Sequence, residues 1–307
     1  MKVLVTLSSF AQYSDEPLKK LKAAGLTVGE NPYQRKLSVT ESLQLYQPDI
    51  AGVIAGTETI NREVLEQAKA LKVISRCGSG IDNVDLDAAK EKGIAVYRTS
   101  IATGDAVSEL TVGLILACLR FIGLADRKIR ANEWVKPMGY LLKNKTVGIV
   151  GLGAIGKRTV ELLSAFGVNF LAHDLKADDA FGAKYAIKFT GLNELMKSAD
   201  IVCLHLALNE HTRGLIGKKL IAAMKKDAIL VNTCRGEVLD EAALYDSLKN
   251  KSIAGAGLDV FAQEPYQGRL CELDNVILTS HIGSYAREIR ILMENEAVDN
   301  LIKALKG

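Results

Sequence analysis

At 307 residues the chain is about twice the length of a typical single domain, so two cores are expected. Its 48% hydrophobic and 24% charged residues, with only five prolines, describe a globular protein and exclude long disordered or collagen-like segments. A formal charge of +3, from 39 basic and 36 acidic residues mixed along the chain, is too small to call for nucleic acid; clusters such as Lys225-Lys226 read as solvated helix faces.

KVLVTL at the start reads as a first strand and is too short for the apolar core of a signal peptide. Asp15 and Pro17 then open a helix that Gly25 ends. IAGVI, NREVLEQA, KVIS and GIAVY continue the alternation to about residue 97, the signature of parallel βαβ units rather than a sandwich. A strong helix is predicted over roughly 104–123; its apolar run from Leu110 to Leu119 spans ten residues, about half of what a bilayer needs. The segment from Arg127 to Leu142 has little periodicity and carries Trp134, the only tryptophan, which suits either an interface arm or a ring packed over its own domain. A second βα series begins at Thr146, with strands near 146–150, 168–172, 201–204, 228–231, 254–258 and 276–278. The tail places Ile289, Leu292, Met293, Ala297, Val298, Leu301, Ile302 and Leu305 at helical spacing, with Ser284 as the expected N-cap. The cysteines at 77, 118, 203, 234 and 271 form no CxxC pair, which argues against a disulfide framework or a zinc site and for a reducing, cytoplasmic setting without membrane partners.

Residues 146–156, TVGIVGLGAIG, hold a GxGxxG pattern at Gly151, Gly153 and Gly156. Alone it is weak, because glycine-rich turns are common. Here a strand enters it, a helix starts near Ala154, and Asp174 closes the next strand 18 residues after Gly156, which completes the dinucleotide fingerprint. Gly151 permits the tight turn, Gly153 lets a pyrophosphate approach, and Gly156 lets the helix pack on the strand. The N–H groups of Ala154 and Ile155 face the phosphate charge, and Asp174 accepts from the ribose hydroxyls and repels a 2′-phosphate, favouring NAD over NADP despite nearby Lys176. A ligand-free glycine turn and an S-adenosylmethionine site are the competing readings.

Hydride transfer to a 2-oxo acid needs a cation for the carboxylate and an acid for the forming alkoxide. Arg235, Glu264 and His281 each follow a predicted strand of the second series, where open α/β sheets place their sites. Arg235 could grip a carboxylate bidentately, and a histidine held by a carboxylate has its tautomer fixed for proton transfer near neutral pH. By residue type, His173, His205 and His211 also qualify as the acid. His205, ending a strand, is the serious rival, and the residues alone leave that choice open.

The segments RCGSGIDNVDLDAAKEKGIAVY, AVSELTVGLILACLR, KTVGIVGLGAIGK, LHLALNEHTRGLIG, VNTCRGEVLDEAAL, AGAGLDVFAQEP and SHIGS, in this order, resemble the D-2-hydroxyacid dehydrogenase family, with short-form D-3-phosphoglycerate dehydrogenases as the nearest likeness. The resemblance implies two doubly wound α/β domains, a Rossmann NAD-binding domain (100–283) inserted into a flavodoxin-like substrate domain (1–99 plus 284–307), with homodimers formed through an arm near 127–142. It implies that Arg235 binds the substrate carboxylate and carbonyl, that His281 is the general acid/base and that Glu264 holds His281. The backbone of Ser79 and Gly80 is implied to grip the carboxylate, while Thr233, Cys234, Asp259, His281 and Gly283 are implied to line the cofactor. Ser280 and Ala207 stand where the family usually has proline, HDLKADD replaces its usual Tyr-Asp-Pro, and ATGDAVSE is an unusual lead into the interdomain helix.

The function expected is NAD-dependent interconversion of a small D-2-hydroxy acid and its 2-oxo acid, with D-3-phosphoglycerate a candidate, in a cleft between two domains; an NAD-sensing or corepressor-like regulator on the same fold is the alternative. No metal is expected. Arg76 is a candidate contact for a substrate phosphate or, equally, an ion pair beside its strand.

Overall fold

Short runs of β-branched residues separated by amphipathic stretches fold into parallel sheets, because only helices on both faces can cover strands that are apolar throughout. The computed structural model describes residues 1–101 and 103–306. The chain divides into two units, Met1–Ala102 with Tyr285–Gly307, and Thr103–Ser284.

The first unit holds β1 (Lys2–Val5), β2 (Thr27–Glu30), β3 (Ile50–Ala55), β4 (Val73–Arg76) and β5 (Ala95–Arg98), all parallel, in the order β2-β1-β3-β4-β5. This is the flavodoxin-like order, whose ligands sit at the carboxyl ends of the strands. All six residues of β3 are buried. The helix Arg287–Lys306 returns to this sheet and buries Met293, Ala297, Val298 and Leu301 in its core, with Ser75 Oγ donating to the Ala297 carbonyl at 2.7 Å. Ser284 does not cap that helix, which starts at Arg287: the preceding N–H groups of 281, 282 and 283 are bound to Asp259 instead of to a helical turn.

The second unit holds β6 (Thr146–Val150), β7 (Asn169–His173), β8 (Lys188–Phe189), β9 (Ile201–Leu204), β10 (Ile229–Asn232), β11 (Gly255–Leu258) and β12 (Val276–Leu278), in the order β12-β11-β10-β9-β6-β7-β8. Counted from β6 as strand one, this is the Rossmann order 3-2-1-4-5-6 with one strand added at the edge. Leu114, Ile115, Cys118 and Leu119 of the helix Gly104–Leu119 pack into the core beneath this sheet. That helix stops short of the expected residue 123, because Phe121 turns left-handed at φ 52° and the chain bends by 65° into a second helix, Ile122–Arg130. Arg127 anchors the second helix by donating to the carbonyl and the carboxylate of Asp274, at 3.2 and 3.1 Å. Beyond it, residues 131–142 form neither helix nor strand; Trp134 is 81% exposed, which removes the reading of a ring packed over its own domain. No single helix among the described residues is long and apolar enough to cross a membrane.

Candidate active site

The glycine loop joins β6 to the helix Ala154–Ser164. Gly151 has φ +95°, and a Cβ there would lie 2.5 Å from the His205 carbonyl; a Cβ on Gly156 would lie 2.2 Å from the Gly151 carbonyl. Packing within the unit therefore demands both glycines. Gly153 differs: no atom lies within 4 Å of where its Cβ would stand, so the protein itself gives no reason for glycine there. No side chain caps the helix, leaving its first N–H groups open at the positive end of the helix dipole. Asp174 follows β7 and accepts from the Leu152 N–H at 2.6 Å and the Lys176 N–H at 3.1 Å, which fixes its carboxylate beside the loop with lone pairs to spare.

Arg235, Asp259, Glu264 and His281 follow β10, β11 and β12, three successive neighbours in the sheet, at the same carboxyl edge as the glycine loop. Gly236 brings two of these loops together, since a Cβ there would stand 1.8 Å from the Phe261 carbonyl carbon. Only a hydrogen lets the Arg235 loop lie against the stretch leading to Glu264. Glu264 also accepts from the Phe261 N–H at 3.2 Å, and its two oxygens stand 3.1 and 3.0 Å from His281 Nδ1. That contact puts a proton on Nδ1.

His281 sits in a left-handed conformation, φ 57°, unusual for a residue with a side chain. Asp259 holds it there. Its carbonyl accepts from the His281 N–H at 2.8 Å, and its carboxylate accepts from the N–H of Ile282 and Gly283, each at 2.8 Å, and from the Thr279 hydroxyl at 2.6 Å. Asp259 is 1% exposed; burial pushes its carboxyl above the ordinary range, against the opposing pull of Thr279 and Ile282. Asn232, fully buried at the end of β10, does the same for the arginine loop: Oδ1 accepts from the Cys234 N–H and Nδ2 donates to the Arg235 carbonyl, each at 3.0 Å. Thr233 shares a 2.9 Å hydroxyl contact with Thr111. Ser79 and Gly80 belong to the other unit, where they follow β4.

Residues 112–283 match the family model of the D-isomer specific 2-hydroxyacid dehydrogenase, NAD binding domain. Over 285 residues the chain is 40% identical to D-3-phosphoglycerate dehydrogenase of Methanocaldococcus jannaschii, covering 91% of this chain and 54% of that protein. The chain belongs to the D-isomer specific 2-hydroxyacid dehydrogenase family. It is also 44% identical over 260 residues to glyoxylate reductase of Thermofilum pendens, covering 82% of this chain and 77% of the relative. Among solved structures, TT0316 protein from Thermus thermophilus superposes with a TM-score of 0.88 at 35% identity, covering 100% of this chain and 97% of that one. The chain spans about half the length of the Methanocaldococcus relative.

The matched model is that of an NAD binding domain, and the glycine loop has room for such a group: Gly153 leaves space against the backbone that no protein atom fills. The family's chemistry also separates the histidines by their surroundings. Both ring nitrogens of His205 are buried without a hydrogen-bond partner among the described residues, and burial lowers its pKa to about 4, too low for an acid near neutral pH. His173 directs Nδ1 at the Thr190 carbonyl, 3.1 Å away, and His211 is exposed beside Glu210. Sequence reasoning missed Asn232, Thr279 and Thr111; the available signal was a polar residue closing an otherwise apolar strand, as in ILVN. Among the described residues no cluster of three His, Cys, Asp or Glu could hold a metal.

Proposed function

We propose that this family member interconverts a small D-2-hydroxy acid and its 2-oxo acid with NAD, using His281 as general acid/base, Glu264 to hold His281 and Arg235 to bind the carboxylate and carbonyl. The observation that carries this reading is the His281–Glu264 pair, 3.0 Å apart, on the same sheet edge as the glycine loop. When bound, NAD would supply the hydride that reaches the substrate's C2, or accept it in the reverse direction. In the reducing direction His281 Nε2 gives its proton to the carbonyl oxygen, while Glu264 stabilises the ring's changing charge through Nδ1. Arg235 holds the carboxylate and draws electron density from the carbonyl. The backbone amides of Ser79 and Gly80 are proposed as carboxylate-binding groups of the first unit. Thr233, Cys234, Asp259 and Gly283 line the nicotinamide, and Asp174 reads the ribose hydroxyls and disfavours a 2′-phosphate. In these terms residues 1–99 with 284–307 are the substrate domain and 100–283 the NAD-binding domain.

The names of two relatives, D-3-phosphoglycerate dehydrogenase and glyoxylate reductase, put glyoxylate and the 2-oxo form of 3-phosphoglycerate among the acids to try. Purified protein with NADH should be assayed against glyoxylate, hydroxypyruvate, pyruvate, 2-oxoglutarate and 3-phosphohydroxypyruvate; tight NADH binding with no absorbance loss at 340 nm for any of them would refute the enzyme reading. The named relatives give the regulator alternative no support.

A cytoplasmic homodimer is part of the same proposal. Five unpaired cysteines support the compartment, and Trp134, Met138 and Leu141, 81%, 90% and 74% exposed on the arm near 127–142, support a second copy packing there. Light scattering on the native chain and on Trp134→Asp tests it, with a monomer expected only for the variant.

A further inference from the structure

The first unit carries an arginine that the proposed chemistry does not use. Arg76 ends β4, is only 7% exposed, and turns its guanidinium inward beneath the loop that follows. Nη1 donates to the Cys77 carbonyl, and Nε donates to Asn83 Oδ1 at 3.4 Å. Asn83 is fixed in turn, with Nδ2 donating to the carbonyls of Glu58 and Gly56 at 2.7 and 3.3 Å. Gly78 makes room for this arrangement: its φ is +156°, and a Cβ there would lie 2.1 Å from Arg76 Nη1 and 2.7 Å from Cζ.

The loop's other carbonyls are also tied back. The Thr99 N–H donates to the Gly78 carbonyl at 3.3 Å, and Arg98 Nη1 to the Ser79 carbonyl at 3.2 Å. In a trans peptide the N–H points opposite to the carbonyl it is bonded to. Holding the carbonyls of Gly78 and Ser79 therefore aims the N–H groups of Ser79 and Gly80 the other way, and among the described residues neither meets an acceptor. Consecutive open N–H groups of this kind form an anion-binding concavity.

We propose that Arg76 is a positioning residue. Wedged against Gly78 and anchored by Asn83, it sets the 77–80 loop so that the Ser79 and Gly80 N–H groups meet the substrate carboxylate, and it does not read a substrate phosphate. This rests on the proposed role of Ser79 and Gly80.

The test compares Arg76→Met, Arg76→Lys, Asn83→Ala and Gly80→Pro by steady-state kinetics with the best unphosphorylated acid of the panel and with 3-phosphohydroxypyruvate, alongside NADH titration. Arg76→Met should raise KM about tenfold for the unphosphorylated acid, the size expected when charge-assisted hydrogen bonds are misaligned. Its kcat and NADH affinity should hold, and Arg76→Lys should recover part of the loss. Should Arg76→Met fail to fold, Asn83→Ala must show the same pattern. A KM rise confined to 3-phosphohydroxypyruvate would make Arg76 a phosphate reader and overturn the proposal. If Gly80→Pro raises KM while the Arg76 and Asn83 variants do not, the positioning role falls and the carboxylate loop stands; if none does, the reading of the loop falls with it.

Discussion

Glu264 Oε2 stands 3.0 Å from His281 Nδ1, on a histidine whose own N–H is bound by Asp259. The ring is thus held at Nδ1 and the backbone that carries it at its N–H. Replacing it removes the proposed proton donor without disturbing the glycine loop, so His281→Ala should lower kcat by more than about a hundredfold and leave NADH affinity nearly unchanged. Glu264→Gln, which keeps the shape and loses the charge, should fall between the two. Activity that survives His281→Ala and disappears in His205→Ala would mean the wrong histidine has been chosen.

The glycines of the loop separate fold from ligand. Gly156→Ala puts a Cβ 2.2 Å from the Gly151 carbonyl and should destabilise the protein by roughly 1–3 kcal/mol or prevent folding. Gly153→Ala meets no protein atom and should change stability by less than about 0.5 kcal/mol. Its NADH affinity should nevertheless drop roughly tenfold, about 1.4 kcal/mol. Thermal unfolding and fluorescence titration on both variants check the contrast; unchanged NADH binding by Gly153→Ala would remove the loop from the cofactor site.

Asp259→Asn keeps the side chain's size but offers one acceptor oxygen where Ile282 and Gly283 now use two. An N–H left facing an amide donor should cost about 1–3 kcal/mol of stability. Because the same turn sets His281, kcat should fall by a larger factor than NADH affinity. Equal losses in both would leave Asp259 only its proposed place along the nicotinamide, with no separate part in setting His281.

The buried His205 ring makes stability depend on pH. Its folded-state pKa of about 4 lies below the ordinary 6.5, so folding favours the neutral ring. The resulting contribution is complete above pH 6.5 and is lost as pH falls through about 4, amounting to roughly 3–4 kcal/mol at most, from about 1.4 kcal/mol per pKa unit. Urea unfolding without cofactor, at pH 7 and pH 4, should show a smaller loss for His205→Leu than for the native chain. The same loss in both would assign the effect to other groups.

Much of this was legible in the residues because parallel strands buried on both faces leave long apolar runs, as in the six buried residues of β3. Two of the four edge strands leave no such run: β2, TVGE, offers a single apolar side chain and β8 has only two residues, so neither shows in the pattern. Gly25 does end its helix, at φ +75°. The break at Phe121 was hidden because the stop signal in RFIG is Gly123, which stands two residues past the break and inside the second helix, whereas Phe121 itself takes the left-handed turn. Arg235, Glu264 and His281 could be located by their places after strands. What supports them could not be, since the roles of Asn232, Asp259 and Thr279 depend on hydrogen bonds that form only after three strands lie side by side.

The returning helix Arg287–Lys306 also bears on how the protein is made. Met293, Ala297, Val298 and Leu301 belong to the core of the unit begun at residue 1, whereas the second unit draws on one continuous stretch, Thr103–Ser284. As the chain leaves the ribosome, the unit translated second is the first to have all its elements, while the earlier one, its five strands already made, waits for its last helix to close its core. A nascent chain arrested before residue 287 thus pairs a completed Rossmann sheet with a five-stranded sheet still open on one face.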